Sequence, residues 1–298
     1  MNYRGVIYTV LSSLAFGILP IFVRMAYSTG LNPYNVLFVR FIFASAFLLI
    51  YLLYHHVDLR LSKKQFFTIA FVAVVGYMGT SLTLFIAYQI LGAGLTTAIH
   101  FAYPIFVTVI SVLIYKERLT SAKKTALFLS VGGIFLLSMS GTSMVNIGGF
   151  LIAILSAVLF ALYVLGIAKR ELEKLNSIVL IFYVCLFSGI GSFFLEVLRG
   201  DWAWKITTAG VLYMVLISIF CTAAALILFA KGIKMIGPTS ASILSTLEPN
   251  VSIIAGFLVL GEPLSWQMIS GIILVIISVL LITMSSGKPE YSEIKVSS

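Results

Sequence analysis

The sequence predicts an all-α integral membrane protein, with ten transmembrane helices arranged as two inverted five-helix repeats. Three observations predict it. Of 298 residues, 61% are hydrophobic and only 10% are charged, with a mean hydropathy of +1.13. Ten apolar runs follow one another with short polar breaks. Segments of the two halves match at a near-constant offset. A soluble domain carries about 25% charged residues. So few polar groups cannot clothe a water-facing surface, which excludes a soluble enzyme, a nucleic-acid reader and a disordered chain.

A helix rises about 1.5 Å per residue and the hydrocarbon core is about 30 Å thick, so a span needs roughly 20 apolar residues. The first run, at about 5–27, follows Met1–Arg4 with no small-residue cleavage site, so it reads as a retained span and not a signal. The second, at about 33–54, is interrupted by Arg40, and the third, at about 66–88, carries Tyr77, Thr80, Ser81 and Tyr88. The fourth, at about 95–115, holds His100, Tyr103 and Pro104, and the fifth lies at about 122–140. The sixth to eighth lie at about 147–168, 177–198 and 208–230, with Tyr163, Tyr183, Cys185 and Cys221 inside them. The ninth, at about 238–260, contains Glu248-Pro249, and the tenth, at about 266–285, opens on Trp266. Strands are not expected, because membrane-barrel strands alternate polar and apolar residues over only about ten positions. The two cysteines read as buried small hydrophobes, not a disulfide or metal site. Residues 286–298 form a polar tail, expected to be disordered and cytoplasmic.

Loop charge sets the expected orientation. Arg60, Lys63, Lys64, Lys116, Arg118, Lys123, Lys124, Lys169, Arg170, Lys174, Lys231 and Lys234 occupy alternate loops. The remaining loops hold only Arg24, Arg199 and Lys205. By the positive-inside rule both termini are cytoplasmic, in agreement with Arg4, Lys288 and Lys295. Trp202, Trp204 and Trp266 then fall near the outer interface, where indole rings favour the headgroups. The net charge of +9 is accounted for by orientation and anionic lipid, with no nucleic acid as partner.

The internal match has two offsets. A shift of 145 lays Gly92 on Gly237, Pro104 on Pro249, Glu117 on Glu262 and Leu119 on Leu264. A shift of 144 lays Ser12, Phe16 and Asn32 on Ser156, Phe160 and Asn176. Five helices per half is an odd number, so the halves must cross the membrane in opposite directions. Aligned loops should then carry opposite charge bias. The loop after the fourth run has four Lys or Arg and its partner after the ninth has none. Such repeats commonly build a substrate site near the bilayer midplane.

Ten spans, a five-helix duplication, a proline in the fourth helix of each half and a closing G/K-E-x-L turn together resemble the EamA-type transporters of the drug/metabolite transporter superfamily. The words are Pro104…Tyr115-Lys116-Glu117-Arg118-Leu119 and Pro249…Leu260-Gly261-Glu262-Pro263-Leu264. The resemblance divides the chain into EamA-like repeats at 1–141 and 142–285. It implies a bacterial inner-membrane exporter or permease for small metabolites, often amino acids or related compounds, with an alternating-access cavity between the halves. One departure is Lys116, which stands where the second half has Gly261.

Polar groups inside the bilayer are costly, so they face a cavity or a partner. Glu248, directly before Pro249, can exchange a proton or grip a substrate amine; its structural alternative is to stabilise the helix break. His100 lies one turn before Tyr103-Pro104, and Tyr103 corresponds to Glu248 at the repeat offset. His100 and Glu248 are therefore expected to approach each other, and imidazole suits a proton-coupled cycle. The alternative is a satisfied histidine near the outer mouth. Arg40 can bind a carboxylate bidentately or tie helices together through carbonyls; the resemblance implies an Arg here whatever the solute, favouring the second role. Arg24 is close enough to the outer surface to snorkel. Tyr77, Ser81, Tyr88, Tyr103 and Tyr163 are candidate walls of a cavity, with core packing as the alternative for each. Pro104 and Pro249 are candidate helix breaks. Gly76, Gly79, Gly132, Gly133, Gly189 and Gly191 read as close helix contacts.

No catalytic site, cofactor or metal site is expected: His55-His56 beside Asp58 reads as a solvated turn, and no Walker motif is present to drive transport by ATP. The expected partners are a small-molecule solute, the lipid bilayer and protons as candidate coupling ion. An apolar outer surface serves lipid or a homodimer seam equally, so a homodimer stays open. A membrane-embedded enzyme and a non-transporting membrane subunit are the competing readings. An enzyme needs converging catalytic groups, and Arg40, His100 and Glu248 occur at no catalytic spacing. Cysteine labelling should place the segments flanking Glu117 and Glu262 in opposite compartments; the same compartment for both would overturn the inverted repeat.

Overall fold

The computed structural model describes residues 3–91, 93–138, 146–199, 207–261 and 264–285. Among these residues every regular element is helical and no strand occurs. The helices are α1 (Tyr3–Ser28), α2 (Pro33–Tyr54), α3 (Lys63–Leu91), α4 (Ala93–His100), α5 (Tyr103–Tyr115) and α6 (Ser121–Ser138). They continue with α7 (Ile147–Ile167), α8 (Ser177–Arg199), α9 (Thr208–Ile236), α10 (Pro238–Leu244), α11 (Leu247–Leu260) and α12 (Trp266–Ser285). Eight segments are long and apolar enough to cross a membrane: α1, α2, α3, α7, α8, α9, the α10–α11 rod and α12. α5 is a shorter apolar helix. The expected boundary at 141/142, Gly92, Trp202, Trp204, Lys205, Glu262, Pro263 and the tail from Ser286 lie outside the described residues.

The fourth and ninth apolar runs are not the continuous spans that the sequence predicts. Each divides into two helices, at Phe101–Ala102 and at Ser245–Thr246. Pro104 is the second residue of α5 and Pro249 the third of α11. A proline has no N–H to give and its ring collides with the carbonyl four residues back, yet it fits a first helical turn. The prolines therefore start new helices, a stronger effect than a bend. With 13 residues, α5 spans only about 20 Å of a core about 30 Å thick.

Side-chain caps set other starts. Asn32 Oδ1 accepts from the N–H groups of Tyr34 and Asn35 at 2.9 Å, and Asn35 Oδ1 accepts from Asn32 N–H, closing a capping box at α2. Asn176 Oδ1 accepts from Ile178 N–H at 2.8 Å at the head of α8. The matched asparagines thus do one job in both halves. Two further local features recur: a wide π-turn inside α3 (Val72–Met78) and inside α9 (Ile219–Ala224), and left-handed residues closing α5 (Lys116, φ 53°) and α11 (Gly261, φ 67°).

Packing is reciprocal between the halves. α1 lies against α9, α10 and α11, while α7 lies against α3, α4 and α5. α2 pairs with α8, and α6 with α12. A Cβ on Gly5 of α1 would meet Ile236 and Met235; one on Gly149 of α7 would meet Ile90 and Leu91. Ser12 Oγ donates to Ala225 O at 2.8 Å, and Thr80 Oγ1 reaches Ser156 O at 3.4 Å. These are the same pairings at the repeat offsets. Cys185 and Cys221 are buried free thiols. At the basic end, Glu171 accepts from Thr68 Oγ1 and pairs with Lys64 at 2.8 Å, which holds its carboxyl below the usual carboxylate range. The outer surface is apolar, with Leu113, Phe128, Leu198 and Leu258 largely exposed.

The glycines expected at helix contacts separate into two kinds. Gly76, Gly79, Gly189 and Gly191 meet Tyr163, Leu159, Ile42 and Met78. A Cβ on Gly133 would lie 2.8 Å from the Gly271 carbonyl oxygen, where α6 crosses α12. Gly132 is a correction: a Cβ there meets nothing within 4 Å, because the residue points off the seam. Gly133→Ala should therefore destabilise by about 1–3 kcal/mol through overpacking. Gly132→Ala should be neutral or stabilise by up to about 1 kcal/mol through helix propensity. Thermal melts in detergent would read both; equal effects would refute the packing assignment.

Candidate functional site

The site is assembled where α2, α3, α5 and α7 meet the α10–α11 break. Arg40 on α2 is 3% exposed and has no carboxylate within ion-pair distance among the described residues. Its Nη2 donates to Tyr77 OH at 2.8 Å. Its guanidinium carbon lies 4.7 Å from the Phe41 ring centroid and 5.6 Å from that of Tyr77. Aromatic faces are the one apolar surface that attracts a cation, so they offset part of the cost of burying this charge. Nε has no partner and is buried.

An aromatic chain leads from there across the interior. Tyr77 lies 4.9 Å from Tyr163, Tyr163 stacks on Phe160 at 5.6 Å, and Phe160 meets Tyr103 edge-on at 4.6 Å. His100 closes the chain, 5.4 Å from Phe160 and 5.6 Å from Tyr103. Its Nδ1 lies 3.0 Å from Ser156 Oγ. The Ser156 hydroxyl donates to Ala153 O at 2.6 Å, so its proton is committed. His100 Nδ1 is then the donor, which leaves Nε2 to meet an external partner. The same logic holds at Tyr103. Ser245 Oγ donates to Ser242 O at 2.9 Å, so Tyr103 OH donates to Ser245 Oγ across the junction of the halves.

Glu248 stands one turn beyond that bond and is only partly buried. Its carboxyl group makes no hydrogen bond or ion pair among the described residues. Gly17 of α1 lets the Glu248 carbonyl come close; a Cβ there would sit 2.8 Å from it. The arrangement is a guanidinium and a carboxyl group at different ends of an aromatic wall, neither with a charged partner among the described residues. Chemically it can take a solute's carboxylate at Arg40 and an amine or proton at Glu248.

The expected residues divide accordingly. Arg40, Tyr77, Tyr163, Tyr103 and His100 form one chain, and Glu248 faces it. His100 and Glu248 do not bond each other; Tyr103 stands between their surroundings. Ser81 is buried but donates to Tyr77 O at 3.0 Å, so its hydroxyl is spent on its own helix. The Tyr88 hydroxyl lies 3.3 Å from Thr97 Oγ1, off the chain. Pro104 and Pro249 follow the two breaks. Ser156, Phe160 and Ser245 were not expected here. Ser156 and Phe160 carried a signal, since both match residues of the first half. A separate shallow surface groove lies between α2 and α3, lined by Pro33, Tyr34, Leu37, Leu82, Phe85, Ile86 and Gln89.

Comparison with known proteins places this geometry in a class. The EamA-like transporter family matches residues 3–139 and again 147–284, and this chain belongs to that family. The uncharacterized transporter YvbV of Bacillus subtilis (strain 168) is 30% identical over 220 residues, 69% of this chain and 70% of the relative. The uncharacterized transporter YcxC of the same organism is 26% identical over 293 residues, 91% and 89% of the two chains. A protein crystal structure superposes with a TM-score of 0.83 at 17% identity, over 95% of this chain and 98% of the other, and shares its fold. The protein is a multi-pass membrane transporter, and its relatives' names point away from an enzyme.

Tyr77 and Tyr163 separate structural from solute-facing hydroxyls. Tyr77→Phe strips Arg40 of its acceptor and should destabilise by about 1–3 kcal/mol. The Tyr163 hydroxyl is buried with no partner, so Tyr163→Phe should leave the melting temperature unchanged or raise it. A Tyr163→Phe variant that melts markedly lower would contradict this hydrogen-bond assignment.

Proposed function

We propose that this protein exports small metabolites, amino acids or related compounds, across the inner membrane as a secondary transporter. Access alternates around a midplane cavity between two inverted five-helix repeats, at 1–141 and 142–285, with both termini cytoplasmic. The observation that carries this reading is reciprocal packing: α1 on α9–α11 and α7 on α3–α5, with the charged and aromatic chain along the seam between them. The double match to the EamA-like family supports the duplication. The alternation of basic loops supports the orientation.

In this reading Arg40 receives the solute's carboxylate, in a dry site where a bidentate charged hydrogen bond is strong. Glu248 grips the amine or carries the coupling proton. His100, with Nδ1 committed to Ser156, offers Nε2 as a proton acceptor. Tyr77, Tyr103 and Tyr163 supply the apolar wall against which the solute's side chain packs. Helix breaks at Phe101–Ala102 and Ser245–Thr246 leave carbonyl groups at membrane depth, where they can line a cavity.

Efflux from cells lacking and overproducing the protein, across a panel of metabolites, would identify the solute. With it in hand, Glu248→Gln and His100→Ala should each cut flux in proteoliposomes by about tenfold or more while the protein stays in the membrane. Glu248→Gln should also flatten the pH dependence of flux. Normal transport by both variants at several pH values would overturn the site.

A further inference from the structure

The buried face of α5 runs through Tyr103, Pro104, Val107, Thr108 and Ser111 and packs against α7 and α10. α10 is tied to this segment at both ends. At its start, Thr239 Oγ1 donates to Glu117 Oε2 at 2.6 Å, just past the end of α5. At its finish, Ser245 Oγ accepts from Tyr103 OH. Glu117 is held in place by Lys123, whose Nζ donates to Oε1 at 3.0 Å. Glu117 and Lys123 belong to the first half and Thr239 to the second, so the lower tie crosses the seam.

Along the buried face of α5 between the two ties, two hydroxyls lack partners among the described residues. The hydroxyls of Thr108 and Ser111, 4% and 1% exposed, are buried with no hydrogen-bond partner. A buried hydroxyl without a partner costs free energy that water would return. A permanently sealed contact gains nothing from carrying two such groups one turn apart. A contact that opens to water gains both. The upper tie is also one turn from Glu248, so a solute or proton there bears directly on whether it holds.

We propose that Glu117 and Thr239 are gating residues: the α5–α10 seam is the gate on the basic face, and Thr108 and Ser111 line the path it opens. The proposal rests on the transporter reading, in which that face is cytoplasmic. Opening parts the Thr239–Glu117 and Tyr103–Ser245 bonds and hydrates five hydroxyls and one carboxylate. Glu117 keeps Lys123 as its counter-ion in both states, so no charge is left bare.

The test is labelling of Ser111→Cys in full-length protein carrying Cys185→Ala and Cys221→Ala, reconstituted in vesicles, with a membrane-impermeant maleimide added on either side. Glu117→Gln and Thr239→Val, made separately, should each speed labelling from the basic face about tenfold or more, the worth of a charged hydrogen bond. Labelling from the opposite face should not rise, and Thr239→Ser should keep the parental rate. Should Glu117→Gln fail to fold, Thr239→Val decides alone. Unchanged rates in folded variants would overturn the gate, as would equal acceleration from both faces, which marks general loosening. Labelling needs no solute. A failure to find flux would therefore count against the transporter reading alone, and unchanged labelling with normal flux against the gate alone.

Discussion

Hydrocarbon offers a backbone N–H or C=O no partner, and this constraint governs the molecule. It makes the apolar runs helical and permits irregular backbone only where protein or water can meet it. Two runs break that rule at membrane depth, at Phe101–Ala102 and Ser245–Thr246. The hydroxyl bond between Tyr103 and Ser245 joins the two broken rods directly. Every residue proposed to meet the solute lies within reach of these breaks or on the helices that cover them. The breaks need covering, and the cover comes from the opposite half.

The charges obey the same constraint. A buried guanidinium is costly, and among the described residues no acid pairs with it. Arg40 is held by one phenol and two ring faces, which is partial compensation. Glu248 has less: a partly buried position and no hydrogen-bond partner for its carboxyl group among the described residues. A guanidinium and a carboxyl group kept apart by an aromatic wall each retain capacity for a ligand. Bonded to each other they would retain less. That difference distinguishes a site from a strut.

The scaffold is duplicated but the chemistry is not. Asparagine caps, π-turns, left-handed closing residues and glycine contacts recur in both halves. At the repeat offset, however, Tyr103 stands where the second half has Glu248, and Lys116 where it has Gly261. Lys116 accepts a left-handed conformation that glycine adopts more readily, and the adjoining Glu117 reaches Thr239 from that turn. Local features that recur give two similar broken rods; the departures place the acid Glu248 on one rod only and the Glu117–Thr239 bond at one end.

Much of this was legible in the residue order. Run lengths, loop charges, the two prolines and the matched asparagines are local properties, and local properties survive in a one-dimensional pattern. Arg40, Glu248, His100 and the tyrosines stood out because polar groups are rare in such runs. The proline pair pointed to bent helices, yet whether each rod bends or divides depends on what can satisfy the freed backbone groups, and that is supplied by neighbours. The partners themselves were out of reach. Arg40 finds Tyr77 across 37 positions, Glu117 finds Thr239 across 122, and Tyr103 finds Ser245 across 142. Which hydroxyl is spent on its own helix, as at Ser81, and which crosses a seam is decided only when helices meet. Composition determines that the chain dissolves in lipid; the folded contacts decide which of its few polar atoms remain free to meet a solute.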